Sequence, residues 1–291
     1  MVDKDEGKKK FIQFLERCYP LAQDGLMAHI HSTDPMLKKI ASRIDFYLLF
    51  RSLGPTILKA KQTILSDCNR LSTHEGLFNL VAFCGVFYGS EFAKETLCWF
   101  NSYEEWLEFK IHSNKEESHF VTKTAYGKGQ KYRHTNNLKM YWDNAGKWNQ
   151  FLKDNPNRDI LADILALHNF FVLNFHNIRD LSALLIIGDL LESGFLPMVD
   201  AHVMDKLVAK VGKGAKDALK CLGLINQHSD EDAIANAFVE LHPHAMEAFN
   251  QEKLTTMVYN VITLEHGLCK YKCLLRLETN QPICSILPAF D

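Results

Sequence analysis

Residues 159–212 read DILADILALHNFFVLNFHNIRDLSALLIIGDLLESGFLPMVDAHVMDKLVAKVG. Apolar side chains recur there at intervals of three and four, and clean alternation is absent, so the stretch predicts helices rather than strands. Breaks are expected at HNIRD (176–180) and at Pro197, because proline lacks an amide donor and disfavours helix just before it. The same helical spacing marks FIQFLERCYPLA (11–22), IDFYLLFRSLG (44–54), LFNLVAFCGVFYG (77–89) and the long run LTTMVYNVITLEHGLCKYKCLLRL (254–277). These segments together predict an all-α fold of about ten helices. Residues 112–135 and 226–232 read as irregular, the second with acids that suit the start of the following helix. Asn-Pro at 155–156 is a natural helix breaker, so two lobes are expected, 1–155 and 156–291.

The chain has 291 residues, enough to bury a core without disulfides. Apolar residues make up 47% and charged residues 23%, which excludes general disorder. The formal net charge is −2, so only a local concentration of cations can argue for an acidic partner. The first ten residues, MVDKDEGKKK, hold no signal-peptide core, and no apolar run reaches the roughly 18 residues of a membrane helix. A reducing compartment, cytosol or nucleus, and no membrane partner are therefore expected. Eight cysteines sit mostly in apolar runs, as buried thiols do. Cys269, Cys273 and Cys284, with His266, lack the tight pair that metal sites favour, so no metal and no cofactor is expected.

Three constellations bear on chemistry. Residues 118–142, SHFVTKTAYGKGQKYRHTNNLKMYW, contain no Asp or Glu. There Lys123, Lys128, Lys131, Arg133 and Lys139 interleave with Tyr126, Tyr132, Tyr141 and Trp142. Cations can neutralise phosphates while rings stack on bases, although a solvated lysine-rich loop would read the same way. GKGQK is not a Walker loop, since the Lys-Ser/Thr pair is missing. The second constellation is VGKGA (211–215). Gly212 and Gly214 before a helix expose amides, and Lys213 and Lys216 add charge, which suits a phosphate. A tight helix–helix connection is the other reading. The third is Glu265–His266, readable as a base with its orienting partner or as a hydrogen-bonded core pair. Asp200, at the start of AHVMDKLVAK, reads first as an N-cap and second as a reactive carboxylate.

The order HNIRD, helix, Pro197, VDAHV resembles the helix-hairpin-helix DNA glycosylase superfamily, in which an aspartate follows the hairpin in a VD-x-H segment. Asp200 and His202 match that segment. The resemblance implies that Asp200 stabilises positive charge developing on the sugar as the base leaves. The superfamily's glycine-rich hairpin turn is replaced here by HNIRD. The lysine of bifunctional members would fall at Leu181 or Ser182, so no Schiff-base nucleophile is implied. Further segments resemble the helical domain of phage thymine-hypermodification proteins, the 5-hydroxymethyluracil DNA kinases and glutamyl/putrescinyl-thymine pyrophosphorylases. The matches are Phe46 with Arg51, Thr63 with Asp67, Leu77 with Asn79, and Thr124–Tyr126. Later come Asp205 with Gly212, Gly214 and Ala215, then Glu265, His266, Leu268, Cys269, Lys270 and Tyr271. Lys213 stands where that pattern has proline. One alignment selects Asp200 and the other Asp205; five residues apart, they project about 140° from each other on one helix.

The resulting expectation is a DNA-binding protein of the glycosylase-like fold acting on thymine-derived bases. It would work by base extrusion and aspartate-assisted chemistry, with Asp200 or Asp205 catalytic. The alternatives are a non-catalytic module for DNA or RNA, and a helical protein-interaction scaffold.

Overall fold

The computed structural model describes residues 4–25, 32–122, 133–155 and 160–279, with the backbone alone for 160–163 and 276–279. Among the described residues there are helices and no strands, as the 3.6-residue periodicity predicts. The helices of eight residues or more are α1 (Lys4–Gln23), α2 (Pro35–Ser42), α3 (His74–Ala82), α4 (Tyr103–Ser113), α5 (Asn137–Ala145), α6 (Ile160–Asn174), α7 (Asp180–Glu192), α8 (Ala201–Val211), α9 (Lys213–Cys221), α10 (Glu231–Ala248) and α11 (Val261–Thr279). None of the described helices is long and apolar enough to cross a membrane.

Short polar residues start these helices by accepting orphan amides. Asp34, Thr73, Ser102, Asp200 and Asp230 each accept a backbone N–H from the first turn of α2, α3, α4, α8 and α10. The apolar run 254–277 is not one helix. Asn260 interrupts it by accepting from the amides of Ile262 and Thr263 at 2.8 and 3.0 Å, which starts α11 afresh. Asparagine competes with the helical backbone in this way wherever its carbonyl can reach two residues on.

The chain divides into two compact units. A terminal unit combines Met1–Leu53 with Asp200–Asp291, and a middle unit holds Gly54–Val199. This partition differs from a division at residue 155, because the N-terminal helix packs on helices from the chain's other end. Of the expected NPNR break, all but Asn155 lies outside the described residues.

In the middle unit, α3 runs into a π turn (Phe83–Phe87), and α5 packs across α3. Phe87, Phe92, Phe100, Trp106, Phe109 and Phe120 form one aromatic cluster with edge-to-face and tilted pairs. The Asn79 amide is fully satisfied inside it, donating to Phe100 O at 2.7 Å and accepting from Phe100 N at 3.0 Å. Trp148 is buried against Phe151, Phe170 and Phe171 and donates to Leu71 O at 2.8 Å.

In the terminal unit, α8 pairs with α10 and α9 with α11, while α1 and α2 lie against α11. Phe14 and Tyr271 meet edge-to-face at 5.1 Å, tying α1 to α11. Glycine permits the closest approaches. A Cβ at Gly7 would overlap the Leu222 carbonyl, and one at Gly214 would come within 2.6 Å of Cys269 Sγ.

In the middle unit a Cβ at Gly76 would overlap the Arg70 carbonyl oxygen, which belongs to rigid backbone. Gly76→Ala is therefore expected to cost about 3 kcal/mol, as overpacking against an immovable group does. Thermal or denaturant unfolding checks this; an unchanged midpoint would contradict the close packing of α3 on the 68–72 turn.

Candidate nucleic-acid interface

Helix α8 is amphipathic. Ala201, Met204, Leu207, Val208 and Ala209 are buried, facing the interior of the terminal unit. On the other face His202, Lys206 and Lys210 are exposed at spacings of four, and the exposed Lys213 follows at the start of α9. Residues four apart share one face, about 6 Å apart along the axis. No described acidic residue forms an ion pair with Lys206, Lys210 or Lys213. The result is a short row of lysines over the C-terminal half of α8 and the start of α9, with the neutral His202 ring and the Asp200 carboxylate before it. Lysine stems can lie on the helix surface while their ammonium groups reach water or phosphate.

Asp200 opens this ridge. It is exposed and caps α8, its Oδ1 accepting from Val203 N at 3.1 Å. Its charge also reaches His242 on α10, where it opposes the burial that lowers the imidazole's pKa. His242 stacks on Tyr259, ring centroids 5.7 Å apart with planes 25° from parallel. Asp205 is half-buried in the middle of α8, with its Oδ1 turned back on the Lys206 amide. Asp200 and Gly212 stand at opposite ends of α8, about 18 Å apart by helical rise.

The far end of the ridge rests on buried charge. Gly212 ends α8, donating to Val208 O at 2.7 Å, and serves as N-cap residue of α9. Gly214 admits Cys269 of α11 against the backbone. The Ala215 amide bonds the Cys269 sulfur, and the thiol donates to Glu265 Oε1 at 2.8 Å. Glu265, His266 and Lys270 of α11 are buried, and the charge of buried Arg51 acts on both His266 and Lys270. The Lys270 ammonium stands 5.0 Å from the Phe46 ring centroid. Burial pushes Glu265 and Cys269 up and Lys270 down. It holds His266 well below its usual range, helped by the charges of Arg51 and Lys270. Cys269 is therefore a thiol, not a thiolate nucleophile. Glycine at 214 serves close packing on Cys269 rather than presentation of a free amide nest, and Lys213 provides the outward charge.

The other cations of the basic segment divide. Lys123, Tyr126, Lys128 and Lys131 lie outside the described residues. Arg133, in the middle unit, donates to Tyr88 O at 3.0 Å and Cys84 O at 3.4 Å. It thereby closes the C-terminal end of the π turn. Lys139 pairs with Asp143 one turn along α5. Both have structural partners that a phosphate would have to displace. Sequence reasoning passed over Lys206, Lys210 and Tyr259, and weighed His242 only as a metal ligand with His244. A lysine at every fourth position from His202 was a readable signal for the first two; the Tyr259–His242 stack joins residues 17 apart and had none. Among the described residues no group of three His, Cys, Asp or Glu side chains is placed to hold a metal ion; Cys284 lies outside them. Comparison with protein-family models, curated proteins and solved structures finds no match for the chain.

The buried His266 has a measurable consequence. Its native pKa lies below the ordinary 6.5, so beneath pH 6.5 the unfolded chain takes up a proton that the native state refuses. Its contribution to stability is complete above that pH and is lost as pH falls, by up to about 1.4 kcal/mol per unit. His266→Gln should flatten the decline of unfolding free energy between pH 6.5 and 5. Parallel wild-type and variant profiles would contradict this.

Proposed function

We propose that the chain binds DNA along the α8–α9 ridge and acts on thymine-derived bases in the manner of glycosylase-like proteins. The observation that carries the reading is the exposed row His202, Lys206, Lys210 and Lys213, which begins at Asp200. At 3.4 Å per nucleotide of one strand, the 18 Å between Asp200 and Gly212 corresponds to about five nucleotides. One strand lying along α8 would meet Lys206, Lys210 and Lys213 with its phosphates and bring a base to Asp200. An extruded nucleotide at that end would place developing sugar charge beside the Asp200 carboxylate. The meeting of Phe46 and Arg51 with Gly214, Glu265, Cys269 and Lys270 supports the reading, since these segments carry the thymine-hypermodification resemblance. Their role in this proposal is to hold α9 against α11, and the chemistry is assigned to Asp200 rather than Asp205.

A second reading, a non-catalytic nucleic-acid module, is favoured by one observation. The Asp200 carboxylate already works as a helix cap. Asparagine caps as well as aspartate but carries no charge. Asp200→Asn should leave stability within a few tenths of a kcal/mol while abolishing base release or modification; Asp200→Ala should cost about 1 kcal/mol of stability besides. Full activity in Asp200→Asn would discard the catalytic role and leave the module.

The ridge itself is tested by salt. Affinity for DNA should fall steeply with ionic strength, and replacing Lys206, Lys210 and Lys213 together with alanine should reduce the log–log slope by up to about three. A chain that ignores DNA and RNA at low salt, or binds them without salt dependence, would overturn the proposal.

A further inference from the structure

Helix α9 and the short helix Gln251–Thr256 end with the same hydrogen bonds and differ at one residue. After α9, Gly223 N donates to Lys220 O and Leu224 N to Leu219 O, both at 3.0 Å. After Gln251–Thr256, Val258 N donates to Thr255 O at 3.0 Å and Tyr259 N to Leu254 O at 2.9 Å. This pair of bonds needs a left-handed residue just past the cap, a place glycine fills without steric cost. Gly223 supplies it with φ of 72°, and Val258 stands there with φ of 49°. A left-handed backbone drives Cβ towards the following carbonyl, and branching at Cβ worsens the clash. Among the described residues, the other non-glycine positive φ values belong to Asn114 and Asn177, a residue type that tolerates this region. Val258 is the one β-branched residue among them.

The next side chain adds a second cost. The Tyr259 hydroxyl is buried and has no hydrogen-bond partner among the described residues, whereas most buried polar groups are paired. The Tyr259 ring lies on His242 of α10, centroids 5.7 Å apart. Firm structure flanks the turn. Leu254 and Met257 are buried before it, and Val261, Ile262 and Leu264 after it. Val258, Tyr259 and Asn260 themselves are half-buried, so little apolar surface opposes their release.

We propose that residues 258–260 form a strained latch that opens locally, with Val258 leaving the left-handed region and the Tyr259 ring leaving His242. Opening relieves the backbone clash and hydrates the hydroxyl. It gives up the two closing amide bonds, the bond from Thr263 Oγ1 to Val258 O at 2.8 Å, and the ring stack. The helices on either side stay folded through their own buried residues. The open state uncovers the face of His242, which the Asp200 charge reaches, whatever the lysine row binds.

Amide hydrogen exchange of the full chain tests the latch, with the unstrained turn at Gly223 as reference within the same molecule. Relative to intrinsic rates, the Tyr259 amide should exchange about tenfold faster than that of Leu224, the factor that corresponds to the strain of one such residue. Its rate should change little with low denaturant, because a local opening exposes little surface. Val258→Gly removes the clash and keeps the bonds, so it should slow the Tyr259 amide by about fivefold or more. Val258→Asn, which tolerates the left-handed region without glycine's flexibility, should act in the same direction. Equal protection of Tyr259 and Leu224 in wild type would overturn the latch. So would a denaturant dependence as steep as that of the slowest amides of the terminal unit, or unchanged exchange in both variants.

Discussion

The terminal unit depends on one constraint: α11 carries Glu265, His266 and Lys270 into an apolar interior, within reach of the Arg51 charge from the other end of the chain. Charges buried this way are tolerated only where they meet one another or are neutralised. The directions of the pKa shifts fit that demand, since burial favours the uncharged carboxyl, imidazole, thiol and amine. Breaking such a cluster leaves a charge unmatched, so the helices around it have little freedom to slide. Gly214 lies against Cys269 within the same cluster, which fixes where α9 begins. That in turn fixes the turn at Gly212 and the direction in which Lys213 continues the row of α8.

From that anchor the outer surface follows. The apolar face of α8 packs on α10, so its remaining face, with His202, Lys206 and Lys210, is left to solvent. The α8–α10 pairing also brings His242 near Asp200, the residue that starts the ridge. The buried cluster and the exposed ridge are thus two sides of one arrangement. Burial of charge sets the geometry and leaves the lysines of α8 at the surface. In the middle unit, by contrast, cations close structure. Arg133 finishes a π turn and Lys139 pairs within its own helix. Cations are thus left exposed in one unit and engaged in structural bonds in the other, and composition does not distinguish the two.

The helical class was legible in the chain because 3.6-residue periodicity and short polar caps act locally. The long run at 254–277 shows the limit of that reading, because one asparagine side chain reaching two amides outweighs apolar periodicity. Asp200 was legible as a cap for the same local reason. Gly212 and Gly214 marked a special backbone, but whether that backbone serves a ligand or a neighbouring helix depended on Cys269, more than fifty residues away.

Local order along the chain settled the helical class, most starts and stops, and the identity of the charged and glycine-bearing segments. Capping, propensity and periodicity involve residues a few positions apart. Packing alone decided that residues 1–53 join 200–291, that Glu265 and Lys270 are buried with Arg51, and that Tyr259 faces His242 with its hydroxyl unsatisfied. Those outcomes depend on which helix faces meet, and the free energy that selects them comes from burying surfaces far apart in sequence.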